Sequence, residues 1–440
     1  MGIEAELAYF NQDEQISYFR VEAHIHTPER DIPVHKVISF DTIADFDLAF
    51  SDRVILSTLV LAEHIAKDIL PHRHNLEMSI VRISSQLTRV TRYKAVIPEP
   101  VLAAINPDLL LGGARYALDL VPPIQLELHG KYLFAEALAT IYLGGNYLNV
   151  RLDQMLSKTI KHYSDKVKLP TGPSLGQTVI APINNQTVQK QILVPSGTSL
   201  IRLPFHLQKN YGLYTSELGS YLRPFEDGTK VWWIFPQFGN IEPNASQVSI
   251  RAICAPKANS LTAIKSRVAH NTLQREGNVL IILAEKLDEG GQLDARPVAR
   301  ANLVNVVNTK TTLSSPCEYA PGKVVVSPSQ RFQSIEVYPR ADQASVATGY
   351  RHSANLYTAT AAVLASTMQT YSFKWTNGDQ ALLVPGMQVE VLMDQQDEIK
   401  SLKGRLASFH SVVENITRGN QSDPSFQETV FFNIHVRTTQ

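Results

Sequence analysis

Apolar and polar positions alternate over much of residues 1–145. In FRVEAHIHTPE, Phe19, Val21, Ala23 and Ile25 fall on one face and Arg20, Glu22, His24 and His26 on the other, the period of two expected of a half-buried strand. The runs SYFRVEAHI, HKVISF, RVILSTLVL, LEMSIVRI, RVTRYKAVI and YALDLVPPIQLELH are rich in Val, Ile, Tyr, Phe and Leu. Turn residues part them at intervals near the roughly 8–12 typical of barrels and sandwiches. They predict an N-terminal antiparallel β-barrel domain. The prolines of VPPIQ assign that stretch to an edge, a bend or a bulge.

The period lengthens in NVRLDQMLSKTIKHYSDKV. Val150, Leu152, Met155, Leu156, Ile160 and Tyr163 recur at helical spacing and mark one apolar face. Asn149 is its expected N-cap and KLPTGPSLG its stop. TVQKQILVPSGTSLIRLPFHLQKNYGLY then reads as a strand, a capped helix starting between Ser196 and Ser199, and an aromatic turn, so residues 146–240 form a mixed α/β domain. Alternation returns in QVSIRAICAP, NVLIILAEKL, ANLVNVVN, SIEVYP, TYSFKWT, MQVEVLM, KGRLASFHSVVENI and ETVFFNIHVR. These predict a second β-barrel domain over residues 241–440. A proline- and serine-rich surface insertion is expected near residues 310–331 and a helix in YTATAAVLASTMQTY. The expected fold is mainly β, with two antiparallel β-barrel domains flanking a mixed α/β region.

At 440 residues the chain exceeds one ordinary core. Its 44% apolar and 19% charged residues are those of a globular protein, and no apolar run is long enough to span a bilayer as a helix. Forty-one basic residues balance 41 acidic ones, so no global field would hold phosphate backbones or anionic lipid. Low net charge also removes a barrier to self-association. MGIEAELAYFNQDEQ lacks a basic and then apolar leader, so synthesis in a cytosol is expected. Cys254 and Cys317 stand far apart without CxxC spacing, as reduced, buried or incidental thiols do.

The candidate chemistry is sparse. His24 and His26 form the His-x-His pair with which several metal-dependent hydrolases begin. His35, His64, His72 and His74 could add ligands, but EHIAKDILPHRH reads as a loop and the β pattern lacks the βα units that carry such sites. A solvated or interface-facing histidine stripe is the simpler reading. LLLGGARY and YLGGNY match no phosphate-binding glycine motif and read as turns. Asp41, Asp45 and Asp47 fail the calcium-loop template and read as capping and edge charge. No cofactor is called for.

Residues 204–240 crowd Tyr, Trp and Phe among glycines, with few charges at the centre. Such a segment builds either a domain core around a hairpin or an interface, where these side chains concentrate. The interface candidates are Tyr211, Tyr214, Tyr221, Trp232, Trp233, Phe235 and Phe238. A carbohydrate- or receptor-binding β module is a further reading of the same hairpin.

The order QILVP, a Pro-Ser-Gly-Thr turn, LIRLPFHLQKNYGLY and then GSYLRPFEDGTKVWWIFPQFG resembles the central region of baseplate hub proteins of contractile-tailed bacteriophages. The flanks agree: VISFDTIADFDLAFSDRVILSTLVL, ILPHRHNLEMSIVRI and VRLDQMLSKTI precede it, and GRLASFHSVVENI and TVFFNIHVR close the chain. The sharpest motifs lie in Leu207 to Gly239, and the insertion near 310–331 has no place in the pattern. The resemblance implies a virion protein without enzymatic activity, a homotrimer whose paired β-barrels make a pseudo-six-fold ring. Its implied partners are the tail tube or a tube-initiator protein, a central spike and other baseplate proteins, with DNA passing through unheld.

Overall fold

Strands dominate the computed structural model, which describes residues 19–46, 53–83, 88–105, 123–164, 167, 175–224, 230–237, 249–254, 273–276, 279–287, 296–297, 368–383, 386–395, 398–417 and 425–437. The first strands are β1 (Arg20–His26), β2 (Asp31–Pro33), β3 (Lys36–Asp45), β4 (Arg53–Val60), β5 (Leu76–Ile83), β6 (Thr88–Val96) and β7 (Ile124–Tyr132). All their mutual pairings are antiparallel, in the order β3-β4-β7-β6-β5-β1-β2. The alternation in β1 sets its burial: Val21, Ala23 and Ile25 are in the core while Arg20 and Glu22 are exposed.

Two sequence expectations change here. The prolines of VPPIQ precede β7 instead of interrupting it, so from Ile124 the chain runs as a central strand between β4 and β6. EHIAKDILPHRH is not a plain loop. Ala62–His64 is helical and Ile65–Ile69 is a wider π turn, anchored by Ala62, Ile65 and Ile69 in the core. The histidines around them are polar positions of a half-buried helical segment.

The middle of the chain holds helix α1 (Leu133–Ala139), strand β8 (Tyr142–Arg151), α2 (Leu152–Ser164), β9 (Leu175–Ile180), β10 (Val188–Ser199), α3 (Leu203–Tyr211), β11 (Leu218–Pro224) and β12 (Lys230–Pro236). Of the expected apolar face of α2, Leu152, Met155, Leu156 and Ile160 are buried and Tyr163 is half-buried, while Val150 lies in β8. Asn149 does not cap it: it lies inside β8 with a left-handed φ of 50°, a conformation asparagine tolerates. YLGGNY is strand, not turn. Gly144 is required there because a Cβ would meet the Ser196 backbone at 3.0 Å, where β10 bulges between Val194 and Thr198. The helix expected from Ser196–Ser199 starts later, since β10 runs to Ser199 and a short 3-10 turn, Leu200–Arg202, intervenes before Pro204 opens α3.

The last strands are β13 (Ser249–Cys254), β14 (Leu273–Glu276), β15 (Val279–Lys286), β16 (Arg296–Pro297), β17 (Met368–Thr376), β18 (Gln388–Gln395), β19 (Glu398–Asn415) and β20 (Phe426–Arg437). Met368–Tyr371, expected at the end of a helix, are strand residues paired with β20. Residues 357–367, ANLVNVVN, SIEVYP, LLLGGARY, the insertion near 310–331, Asp47 and Cys317 lie outside the described residues. Cys254 is free and buried, and burial pushes its thiol up to about 12. This lobe is not purely antiparallel, because β13 runs parallel to both β15 and β18.

Pairings in this lobe return on themselves, β13-β18-β19-β20-β17-β15-β13. A second cycle joins β1-β5-β6-β7-β4-β3 to β19 and β20, and returns to β1 through a bridge between Phe426 and Phe19, whose backbone bond is 3.0 Å. The β19–β20 hairpin belongs to both cycles. Along β19, Glu398–Arg405 pair with β18 and Ser408–Glu414 pair with β3, and the ladder to β20 shifts register between Leu406 and Ser408. One core, containing Ile25, Leu56, Phe134, Leu156 and Leu207, serves the first cycle and the middle segment. The other, containing Phe46, Ala252, Trp375, Phe432 and Ile434, fills the second lobe.

Candidate assembly surfaces

The aromatic segment sits between the two cores. Strands β9, β12 and β11 form a three-stranded sheet in which β12 lies at the centre. Alternate residues of that sheet face opposite ways: Leu222, Trp232 and Ile234 join the first core, and Tyr221 and Phe235 the second. A strand buried on both faces needs large apolar side chains throughout, which accounts for the aromatic density. Trp232 is 0% exposed and its Nε1 donates to Ser220 Oγ at 2.8 Å. Tyr214 is equally buried, donates its hydroxyl to the Ala181 carbonyl at 2.8 Å, and has its phenol pKa raised by burial. Tyr221 packs edge-on against Phe46 at 4.8 Å.

Of the seven interface candidates, Tyr214, Tyr221, Trp232 and Phe235 are buried within the chain itself. Tyr211 and Trp233 are half-buried, and Phe238 lies outside the described residues. Glu217, just ahead of β11, is the one carboxyl with a large shift among the described residues of this region: burial lifts it to about 7.

The histidine stripe keeps the face its alternation assigned, with His24 and His26 half-buried and their rings stacked at 6.4 Å. His26 is engaged on both nitrogens, Nδ1 with Asp31 Oδ1 at 2.6 Å and Nε2 with Ser79 Oγ at 2.9 Å. The hydrogen bond from His26 holds the Asp31 carboxyl below its ordinary range. Arg30, in the β1–β2 turn, pairs with Asp68, and its Nη2 lies 2.9 Å from His64 Nδ1. His72 lies 3.4 Å from Glu29. The histidines thus fasten a surface turn to the helical segment behind it, and among the described residues no three His, Cys, Asp or Glu side chains are grouped to hold a metal ion.

Sequence reading missed a different surface. Strands β8 and β10 form a two-stranded ribbon apart from the other sheets. Ile192, Val194 and Leu143 turn inward, but Tyr142, Leu148, Val188 and Leu193 are 68%, 63%, 55% and 54% exposed. The outer edge of β10 is partly covered by α3: the Leu193 amide donates to the Tyr211 hydroxyl at 2.6 Å and its carbonyl lies 3.0 Å from His206 Nε2. The outer edge of β8 pairs with no strand among the described residues. Alternation cannot separate an apolar face that is covered from one that is not, so only the three-dimensional arrangement exposes this ribbon.

No family model matches the chain, and no curated protein matches it. Among solved structures it is similar to a tail protein from Neisseria meningitidis MC58, at 11% identity over 95% of this chain and 97% of that one, with a TM-score of 0.40. It is also similar to the 43 kDa tail protein of prophage MuSo2 from Shewanella oneidensis, at 11% identity over 93% and 96% of the two chains and a TM-score of 0.40. A component of the type VI secretion system of E. coli, itself structurally similar to T4 bacteriophage tail proteins, aligns at 8% identity over 94% of this chain and 77% of that one, with a TM-score of 0.44. Each of the three alignments extends over more than nine-tenths of this chain.

Proposed function

We propose that this protein is the hub of a contractile-tail baseplate, a homotrimer that joins the tail tube or its initiator to a central spike and lines part of the channel through which the genome passes. The observation that carries the proposal is the pair of strand cycles sharing the β19–β20 hairpin. In this reading each cycle is a barrel, so one chain supplies two β units side by side and three chains supply six, the number a six-fold tube needs from a three-fold spike. The resemblance centred on Leu207 to Gly239 points the same way.

The chain acts by assembly, not turnover. Its balanced charge suits a channel that lets DNA pass, because a basic wall would hold phosphates by counterion release. The open edge of β8 and the apolar face of the ribbon are the proposed contact with the neighbouring subunit, since an unpaired strand edge offers backbone groups that another chain satisfies. A closed heterologous ring of three meets that geometry.

Negative-stain imaging and sedimentation of the purified protein test the proposal together. A hollow three-fold ring is expected, with no retention of duplex DNA at physiological salt. A compact monomer at every concentration tested would overturn it.

A further inference from the structure

We infer that the two lobes are coupled into one cooperative unit by an ion pair between the half-buried Arg82 and the buried Glu428, placed where the shared hairpin passes from one lobe to the other. Glu428 lies on β20, two residues from the Phe426–Phe19 bridge, and is 1% exposed. Its carboxylate gathers groups from several elements. Ser411 of β19 donates its hydroxyl to Oε1 at 2.5 Å, the Gln380 amide donates to the same oxygen at 3.1 Å, and Arg82 of β5 pairs with Oε2. The Gly378 amide donates to the Glu428 carbonyl at 3.1 Å.

Arg82 is held in turn. Its guanidinium lies 3.8 Å above the Phe19 ring and 3.5 Å from Asp379, which belongs to the turn after β17. Gln380 Nε2 reaches Thr42 Oγ1 of β3 at 3.3 Å. The first lobe supplies Phe19, Thr42 and Arg82, the second supplies Asp379 and Gln380, and the shared hairpin supplies Ser411 and Glu428. Among the described residues, the charged groups facing Glu428 are Arg82 and Asp379, two carboxylates to one guanidinium. At pH 8, removing the cation therefore leaves these two carboxylates facing each other, and the lobes part; at lower pH Glu428 takes up a proton and they stay joined. An apolar seam would hold the lobes together without fixing their relative rotation; a directional guanidinium whose Nη1 faces both Glu428 of the shared hairpin and Asp379 of the second lobe fixes it.

Differential scanning calorimetry of the full chain at pH 8 tests this. The wild type is expected to unfold in one transition, with equal calorimetric and van't Hoff enthalpies. Arg82→Met is expected to split it into two, and Arg82→Met with Glu428→Gln to restore one, because the neutral amide needs no cation and keeps an acceptor for Ser411 and Gln380. Lowering the pH should likewise rejoin the two transitions of Arg82→Met. Two transitions in the wild type, one in Arg82→Met, or no rescue by Glu428→Gln would each overturn the inference. If Arg82→Met is insoluble, the double variant decides: soluble with one transition supports the coupling, insoluble overturns it.

Discussion

At the junction of the lobes the molecule buries charge, and on the β8–β10 ribbon it exposes apolar side chains. Each inverts the ordinary distribution, and the energetics differ. A buried ion pair offsets its desolvation only if every partner is present, so the junction is tolerant of nothing but matched changes. An exposed leucine costs the isolated chain little, so the ribbon can vary freely unless another chain covers it. The junction belongs to the fold of one protomer, and the ribbon to the proposed contact between protomers.

The comparison can be broken most severely at Arg82. Arg82→Met leaves the Glu428 carboxylate buried without its cation and should cost about 3–5 kcal/mol by urea unfolding at pH 8, with Glu428→Gln recovering much of it in the double variant. Glu217 gives the next largest effect. Its carboxyl, lifted to about 7 by burial from an ordinary 4.5, holds more proton folded than unfolded between those values. Stability then falls as pH rises from 4.5 to about 7 and is level above, a contribution on the order of 2–3 kcal/mol. Glu217→Gln should remove that slope from urea midpoints measured across the same range and leave the junction's behaviour unchanged.

Gly404 probes the place where β19 leaves β18 for β3. A Cβ there would stand 2.5 Å from the His435 carbonyl oxygen, so Gly404→Ala should cost about 1–3 kcal/mol in the same assay. The ribbon should respond least in the protomer and most in the assembly. Leu148→Lys with Leu193→Lys is expected to shift unfolding stability by no more than about 0.5 kcal/mol. Trimer association followed by sedimentation should weaken about tenfold or more. A ribbon variant that unfolds the protomer, or leaves association untouched, would erase the distinction between the two regions.

Much was legible from the chain alone. Alternation placed β1 and its histidines on their proper faces, and the helical period of α2 named its buried residues. His24 and His26 lie on the face the alternation gave them, but the fastening of Glu29 and Arg30 depends on a helical segment that EHIAKDILPHRH did not announce. The aromatic segment was read as either core or interface. Burial on both faces of the β9-β12-β11 sheet makes Trp232 and Phe235 core, and composition is blind to that choice.

Local spacing by itself determined which faces are apolar and that the chain is mainly β, because side-chain direction follows backbone period within a few residues. It could not determine that β19 serves two lobes. Ser39–Asp45 meet Glu414–Ser408 across most of the length of the chain, and no short-range preference encodes such a partner. Only the assembled tertiary structure, where closing that long loop is offset by burial in both cores, decides the pairing and with it the site of the Arg82–Glu428 pair.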